Sequence, residues 1–148
     1  MDEHDLRIRT HVYASFVADG RARTPAEAAA ELGLSPTDVA AAYRRLHHAH
    51  ALVLGPGTDE IRMLNPFSVA ATPHRVEASG RSWFGNCAWD ALGIPAALHT
   101  DAAVRSECPD CGEPLELEVR DGGLVRGAEL LVHFVVPARR WWDDIGFT

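Results

Sequence analysis

Residues 24–38 read TPAEAAAELGLSPTD and contain two helix start signals separated by a glycine. Thr24 can cap the helix that follows, and Glu27 stands three residues later, where its side chain can reach back to the cap amide. The short helix is expected to run from Pro25 to Leu32, with proline in its first turn and glycine just after its end. Ser35 repeats the start signal for a further helix. Two capped helices joined by a tight turn predict a helix-turn-helix.

The sequence on either side of this stretch extends it into a small N-terminal unit. Residues 5–18 carry apolar side chains at helical spacing and are followed by an Asp-Gly stop, which predicts a first helix. Residues 51–54 and 60–64 are β-prone runs that flank a Gly-Pro-Gly turn, as in a hairpin. Three helices and a hairpin predict a winged-helix-like domain over residues 1–66.

Residues 67–148 predict a second, small mixed β-sheet/helix domain. Residues 103–107 and 115–119 are strand-like and flank a tight turn, and residues 82–92 suit a buried helix or the turn that leads into it. Residues 129–136 form the most apolar run of the chain, so we predict a strand there. The predicted fold class is therefore α+β.

The composition is that of a folded domain rather than a disordered or membrane-spanning chain. The 148 residues are 47% hydrophobic and carry a formal net charge of −7. No apolar run approaches the roughly 20 residues that cross a bilayer. The first residues are acidic and contain no apolar signal segment. We expect a cytoplasmic protein with no membrane partner, in a bacterium because arginine supplies every cationic side chain apart from histidine.

The three cysteines predict chemistry or metal binding rather than a disulfide framework, because the cytoplasm is reducing and one thiol would remain unpaired. Cys108 and Cys111 have the spacing of a zinc knuckle, and a structural zinc could be completed by Cys87, His99 or His133. A thioredoxin-type redox pair is disfavoured, because the two cysteines lie between strands and not at a helix start. A tight turn with two half-buried thiols is the alternative without a metal.

A second pair of reactive side chains is spaced by three residues. If a helix begins near residue 86, Cys87 lies in its first turn, where free backbone amides and the helix dipole favour a thiolate. Asp90 then falls on the same face one turn later. The pair combines a soft nucleophile with a proton donor. A buried cysteine beside a helix-capping aspartate would give the same spacing without any chemistry.

The stretch from Trp83 to Val119 resembles the alkylmercury (organomercurial) lyase family. The resemblance rests on Cys-Ala-Trp-Asp at residues 87–90, on Ile-Pro-Ala-Ala-Leu at residues 94–98 and on a Cys-x-x-x-Gly-x-Pro pattern at residues 108–114. The winged-helix-like segment also fits the N-terminal region of the family. The resemblance therefore covers most of the chain.

This resemblance implies cleavage of a carbon–mercury bond by protonolysis, with Cys87 as mercury ligand and Asp90 as proton donor. The products would be a hydrocarbon and Hg(II). Cys108 falls on a family cysteine that is buried and structural, and Cys111 is an addition. The family's distal mercury-binding cysteine has no counterpart in the 148 residues, so we expect impaired cleavage unless Cys111, Cys108, a free thiol or a second protein supplies the sulfur.

The family resemblance also implies the partners. The substrate would be an organomercurial small molecule, no cofactor would be required, and cellular thiols or a mercuric reductase would accept the released mercury. A monomer and a homodimer both fit the sequence.

Two other functions remain open. The exposed face of the third helix would carry Arg44, Arg45 and His48, which are candidate DNA contacts of a soft-metal-sensing transcriptional regulator. The acidic net charge argues against DNA as the partner. A zinc-stabilised interaction module is the third reading.

The remaining aromatic residues and one histidine are expected to be structural. His133 lies within the apolar run at residues 129–136, which places it in the core. The tryptophans are expected to form core or to line the pocket around Cys87; they are Trp83, Trp89, Trp141 and Trp142.

Overall fold

The computed structural model describes residues 1–145 and begins with the three predicted helices. They are α1 (Glu3–Asp19), α2 (Pro25–Leu32) and α3 (Pro36–His48). The Thr24 side chain accepts a hydrogen bond from the Glu27 amide, and the Glu27 carboxylate accepts one from the Thr24 amide at 2.9 Å. The capping box and the helix bounds predicted around it are confirmed, because these signals are local.

An antiparallel sheet of eight strands follows the three helices and extends to Arg126. The strand order is β1-β2-β3-β5-β4-β6-β7-β8, and every neighbouring pair is antiparallel. The predicted hairpin is the β1–β2 pair, and β2 also pairs with β3, so the sheet continues past residue 66. The strands are β1 (Val53–Leu54), β2 (Ile61–Leu64), β3 (Phe67–Ser68), β4 (Arg75–Ala78), β5 (Arg81–Gly85), β6 (Ala102–Glu107), β7 (Pro114–Arg120) and β8 (Gly123–Arg126).

One helix, α4 (Ala88–Leu98), connects β5 to β6. Both strands are antiparallel to β4, which lies between them, so β5 and β6 run in the same direction. Alternation along the strands puts Val76, Trp83 and Val104 on one face, where they share a core with Ile94 of α4. The fold is thus α+β, with helices followed by an antiparallel sheet.

Residues 129–136 do not form the predicted strand. The chain leaves the sheet after Arg126, and the side chains that follow are exposed, with Leu131 at 95% and Val135 at 77%. His133 is also exposed, so its predicted place in the core is wrong. The run is apolar enough for a strand, but within residues 1–145 no neighbouring strand pairs with it. A 3-10 helix at Ala138–Asp143 follows.

A buried carboxylate connects α1 to α3. Asp5 is only 2% exposed, and its carboxylate accepts hydrogen bonds from the Arg45 guanidinium, the shortest at 2.6 Å. The Arg45 hydrogen bonds hold the pKa of Asp5 below its ordinary value. A lowered folded pKa means that the pair stabilises the fold above the unfolded pKa of about 3.9. This stability is lost as the pH falls through the folded pKa.

We expect Asp5→Asn to lower the free energy of unfolding by about 1–2 kcal/mol at neutral pH, because a charge-assisted hydrogen bond pair is lost. The difference from the wild type should shrink as the pH is lowered from neutrality to below about 4, because Asp5 then becomes protonated. Urea unfolding across this pH range measures the difference in free energy of unfolding, and Glu129→Gln, at an exposed position, is the control. A difference that stays constant with pH would contradict the role of the ion pair.

Candidate functional site

Cys87 occupies the N-cap position of α4, one residue earlier than the first turn predicted from the sequence. Its backbone is extended, with φ at −144°, and its side chain makes no capping hydrogen bond. The first helical hydrogen bond runs from the Ala91 amide to the Cys87 carbonyl at 3.0 Å. The thiol is therefore held at the start of the helix without a capping role.

Asp90 lies one turn into the helix and faces the thiol. The Cys87 Sγ donates a hydrogen bond to Asp90 Oδ2 at 3.7 Å. Burial raises the pKa of the Asp90 carboxyl, although hydrogen bonds from Asn86 and Cys87 oppose the shift. Burial also raises the pKa of the Cys87 thiol. The pair can therefore hold a proton and pass it between sulfur and oxygen.

Gly85, which the sequence analysis missed, makes the sharp connection from β5 into α4 possible. A Cβ at this position would stand 2.6 Å from the Ala91 nitrogen and 3.0 Å from the Cys87 carbonyl oxygen. Side chains do not fit at such distances from backbone atoms. The glycine directly before the Asn-Cys pair was the available signal, but sequence alone does not reveal what packs against it.

Asn86, also missed, anchors the start of α4 to the N-terminal part of the chain. Its Nδ2 donates to Asn65 Oδ1 at 3.2 Å and to the Pro66 carbonyl at 3.4 Å. Its Oδ1 is buried and has no hydrogen-bond partner among the described residues. Asn86 stands between Gly85 and Cys87, so these contacts fix the segment that carries the thiol.

Cys108 and Cys111 form a separate pair in the turn between β6 and β7. Hydrogen bonds from Cys108 N to Glu113 O, at 2.9 Å, and from Gly112 N to Cys108 O, at 2.8 Å, close the turn. The backbone amides of Cys111 and Asp110, with the Cys111 thiol, lower the pKa of Cys108. Cys108 is half-buried and Cys111 exposed, so the buried setting implied for Cys108 by the family resemblance is not observed.

The described residues contain no group of three or more histidine, cysteine, aspartate or glutamate side chains that could hold a metal ion. Neither Cys87 nor His99 or His133 therefore joins the Cys108–Cys111 pair in a set of zinc ligands. The structure brings together Cys87 with Asp90, and Cys108 with Cys111, as two distinct pairs.

The three candidate DNA contacts are placed at the end of α3. Arg44 forms a two-pronged ion pair with Asp59, with Nε at 2.7 Å from Oδ1, and Arg45 is held by Asp5. His48 is exposed and lies beside His47, with 5.7 Å between the ring centroids. Both guanidinium groups thus point to carboxylates of the same chain.

The four tryptophans have different environments. Trp83 is buried in the core as predicted, whereas Trp89 is 57% exposed. The Trp89 ring contacts Phe134 edge-on at 6.2 Å between centroids, and Phe134 in turn contacts Trp141 at 5.0 Å. Trp142 stacks on His50 at 3.8 Å. The segment after β8 therefore crosses the start of α4 and reaches the end of α3.

None of the helices in residues 1–145 has the length and apolar character needed to span a membrane.

No curated protein matches the chain. A solved structure described as "Crystal structure of the mercury-bound form of MerB2" is similar, with a TM-score of 0.68 and 24% identity over 85% of this chain. The chain covers 60% of the length of that protein, and the similarity shows that the fold is shared.

The family comparison concerns the part of the chain that carries the Cys87–Asp90 pair and the Cys108–Cys111 pair. Residues 67–148 match the model of the family described as "MerB: Alkylmercury lyase". The match covers more than half of the 148 residues and includes Cys87 and Asp90. The chain belongs to the alkylmercury lyase family.

Proposed function

We propose that this protein cleaves the carbon–mercury bond of organomercurial compounds by protonolysis, with Cys87 as mercury ligand and Asp90 as proton donor. The observation that carries the proposal is the hydrogen bond from Cys87 to Asp90 at the start of α4. The match of residues 67–148 to the alkylmercury lyase family supports it. No cofactor takes part, and mercury is handled as substrate and product.

The first step is capture of the organomercurial by Cys87. Mercury is a soft metal and prefers sulfur to oxygen or nitrogen ligands. As the sulfur–mercury bond forms, the displaced ligand leaves mercury and the thiol proton moves to the Asp90 carboxylate, to which the thiol already donates. The raised pKa of Asp90 favours its retention of this proton in a half-buried site.

The second step is proton transfer from Asp90 to carbon. The electron pair of the carbon–mercury bond takes the carboxyl proton, the hydrocarbon leaves, and Asp90 returns to its carboxylate form. A second thiolate on mercury would push electron density towards carbon and make it more basic. Cys87 then holds Hg(II), whose charge is balanced by its own thiolate and the second sulfur.

The second thiolate that binds mercury needs a source other than Cys87. Cys108 and Cys111 are the other thiols of the 148 residues, and they do not cluster with Cys87 and Asp90 in the part of the chain that the structure describes. We propose that a small thiol or a partner protein supplies it, and that a cellular thiol or a mercuric reductase takes the mercury. Cleavage is then slow without added thiol. A reducing cytoplasm fits these requirements.

Release of benzene from phenylmercury tests the proposal. The purified protein is incubated with phenylmercury with and without excess small thiol, and benzene is followed by gas chromatography. Enzyme-dependent benzene that increases with added thiol is the expected result. A rate equal to that of thiol alone would overturn the proposal.

We further propose that residues 1–66 form a winged-helix-like domain that serves as scaffold rather than as a DNA reader, with residues 67–148 as the lyase-like domain. The hairpin after α3 is joined to the larger sheet through β2 and β3, so it is not a free wing. The ion pairs of Arg44 with Asp59 and of Arg45 with Asp5 offset the positive charge of the third helix. These contacts favour a structural role for the domain, which carries the Asn65 and Pro66 contacts of Asn86, over a role in binding the phosphates of DNA.

We therefore expect no retardation of duplex DNA at low salt with protein up to about 10 μM, within the range where nonspecific binders respond. An electrophoretic mobility assay with mixed-sequence duplexes measures it. A shift that weakens with salt and disappears in Arg44→Ala would restore the regulator as the better reading.

A further inference from the structure

We propose that Cys108 and Cys111 form a second soft-metal site, which binds one Hg(II) between two thiolates and is independent of the Cys87–Asp90 pair. The binding step releases both thiol protons as two sulfur–mercury bonds form. It involves no oxidation or reduction.

The turn between β6 and β7 holds the two sulfurs together. The hydrogen bonds from Cys108 N to Glu113 O and from Gly112 N to Cys108 O close it at both ends. Gly112 takes a φ of +72°, which glycine adopts without strain, so the chain can turn back into β7 directly after Cys111. The 2.8 Å bond from Gly112 N to Cys108 O folds residues 108–112 into one closed turn, which brings Cys108 and Cys111 to the same short loop. The Cys111 amide and thiol also lower the pKa of Cys108. Both cysteines are free and accessible.

The number of ligands near Cys108 and Cys111 determines which metal ion the pair can bind. Structural zinc requires four ligands in a tetrahedral arrangement. In residues 1–145 no third histidine, cysteine, aspartate or glutamate side chain joins Cys108 and Cys111. Two thiolates without further ligands suit a soft ion that is satisfied by two sulfurs, of which Hg(II) is the example that matches the family of this chain. The pair is therefore expected to discriminate strongly against Zn(II).

The sheet places this pair at the same end as Cys87. Strands β5 and β6 run in the same direction on either side of β4. Cys87 and Cys108 follow the carboxyl ends of these two strands, so both lie beyond the same end of the sheet. Two strand spacings, about 10 Å, separate the ends of β5 and β6 from which these residues follow. An ion released from Cys87 would meet this pair near its point of release.

Mercury retention by three variants tests the site without any need for cleavage. Cys87→Ser keeps the pair alone, while Cys87→Ser/Cys111→Ser and Cys87→Ser/Cys108→Ser keep a single thiol. Each reduced protein is loaded with one equivalent of HgCl₂ and dialysed against a monothiol at about 0.1 mM. Because the second thiolate acts at an effective concentration of millimolar or more, Cys87→Ser should retain at least about tenfold more mercury than either double variant.

Two results would overturn the site. One is equal retention by the Cys87→Ser protein and both double variants, which would show that the sulfurs do not act together. The other is retention of one equivalent of Zn(II) by the mercury-free Cys87→Ser protein through the same dialysis, which would show a site with additional ligands. Because Cys87 is absent from all three proteins, a failure of the proposed lyase activity leaves this test unaffected.

Discussion

Cys87→Ser should release no benzene from phenylmercury above the thiol-only rate. Serine replaces the soft sulfur by a hard oxygen that mercury binds poorly. The variant should remain folded, because Cys87 occupies an N-cap position without a capping hydrogen bond and serine is among the preferred residues there. Loss of function without loss of stability, measured by thermal unfolding, would therefore assign the role to the sulfur itself.

Asp90→Asn separates binding from chemistry. The amide cannot deliver the carboxyl proton, so we expect cleavage to fall by about 10²–10⁴-fold, the usual contribution of a general acid. Retention of phenylmercury by Cys87 should persist. Asp121→Asn, which removes an exposed carboxylate at the β7–β8 turn, is the matched control. Cleavage by Asp90→Asn at the wild-type rate would place the proton donor elsewhere.

Gly85→Ala should cost about 3 kcal/mol of folding stability, at the upper end of overpacking effects. The added methyl would meet the Ala91 backbone nitrogen at 2.6 Å, and backbone at the start of a helix cannot move aside as a flexible side chain can. The melting temperature should fall by about 10 °C for a chain of this size. The same displacement should reduce benzene release, because Cys87 and Asp90 follow within the shifted segment.

The matched control is Gly123→Ala. A Cβ at Gly123 would meet its nearest atom, the Arg120 carbonyl oxygen, at an ordinary contact distance of 3.5 Å. Its stability should stay within about 0.5 kcal/mol of the wild type. If Gly85→Ala melts at the same temperature as this control, the turn into α4 is not as tightly packed as its geometry indicates.

The N-terminal helices and the Cys-x-x-Asp pair followed from the sequence because their causes are local. Thr24 and Glu27 satisfy each other's backbone amides within one turn, and Gly33 ends the helix that they begin. The spacing of Cys87 and Asp90 likewise brings their side chains together on any helix that starts there. The turn that carries Cys108 and Cys111 lies between two strands as predicted, since the strands on both sides alternate clearly.

Only the tertiary structure shows which strands pair with each other and which distant side chains form ion pairs. The apolar run at residues 129–136 had the composition of a strand, but a strand requires a neighbour to pair with, and sequence does not reveal that the chain leaves the sheet after Arg126. The carboxylates that hold Arg44 and Arg45 are 15 and 40 residues away in sequence, so their pairing depends on the folded arrangement.

The sequence by itself therefore determined the local chemistry of this protein, namely a thiol beside a carboxyl at a helix start and two thiols in a turn. Only the tertiary structure showed that Gly85 and Asn86 fix the reactive helix. It also showed that β5 and β6, which lead to Cys87 and Cys108, end at the same side of the sheet. The physical reason is that spacing along the chain sets contacts within one turn of a helix or hairpin. Contacts between elements depend on how the strands are ordered in the sheet and which surfaces they bury.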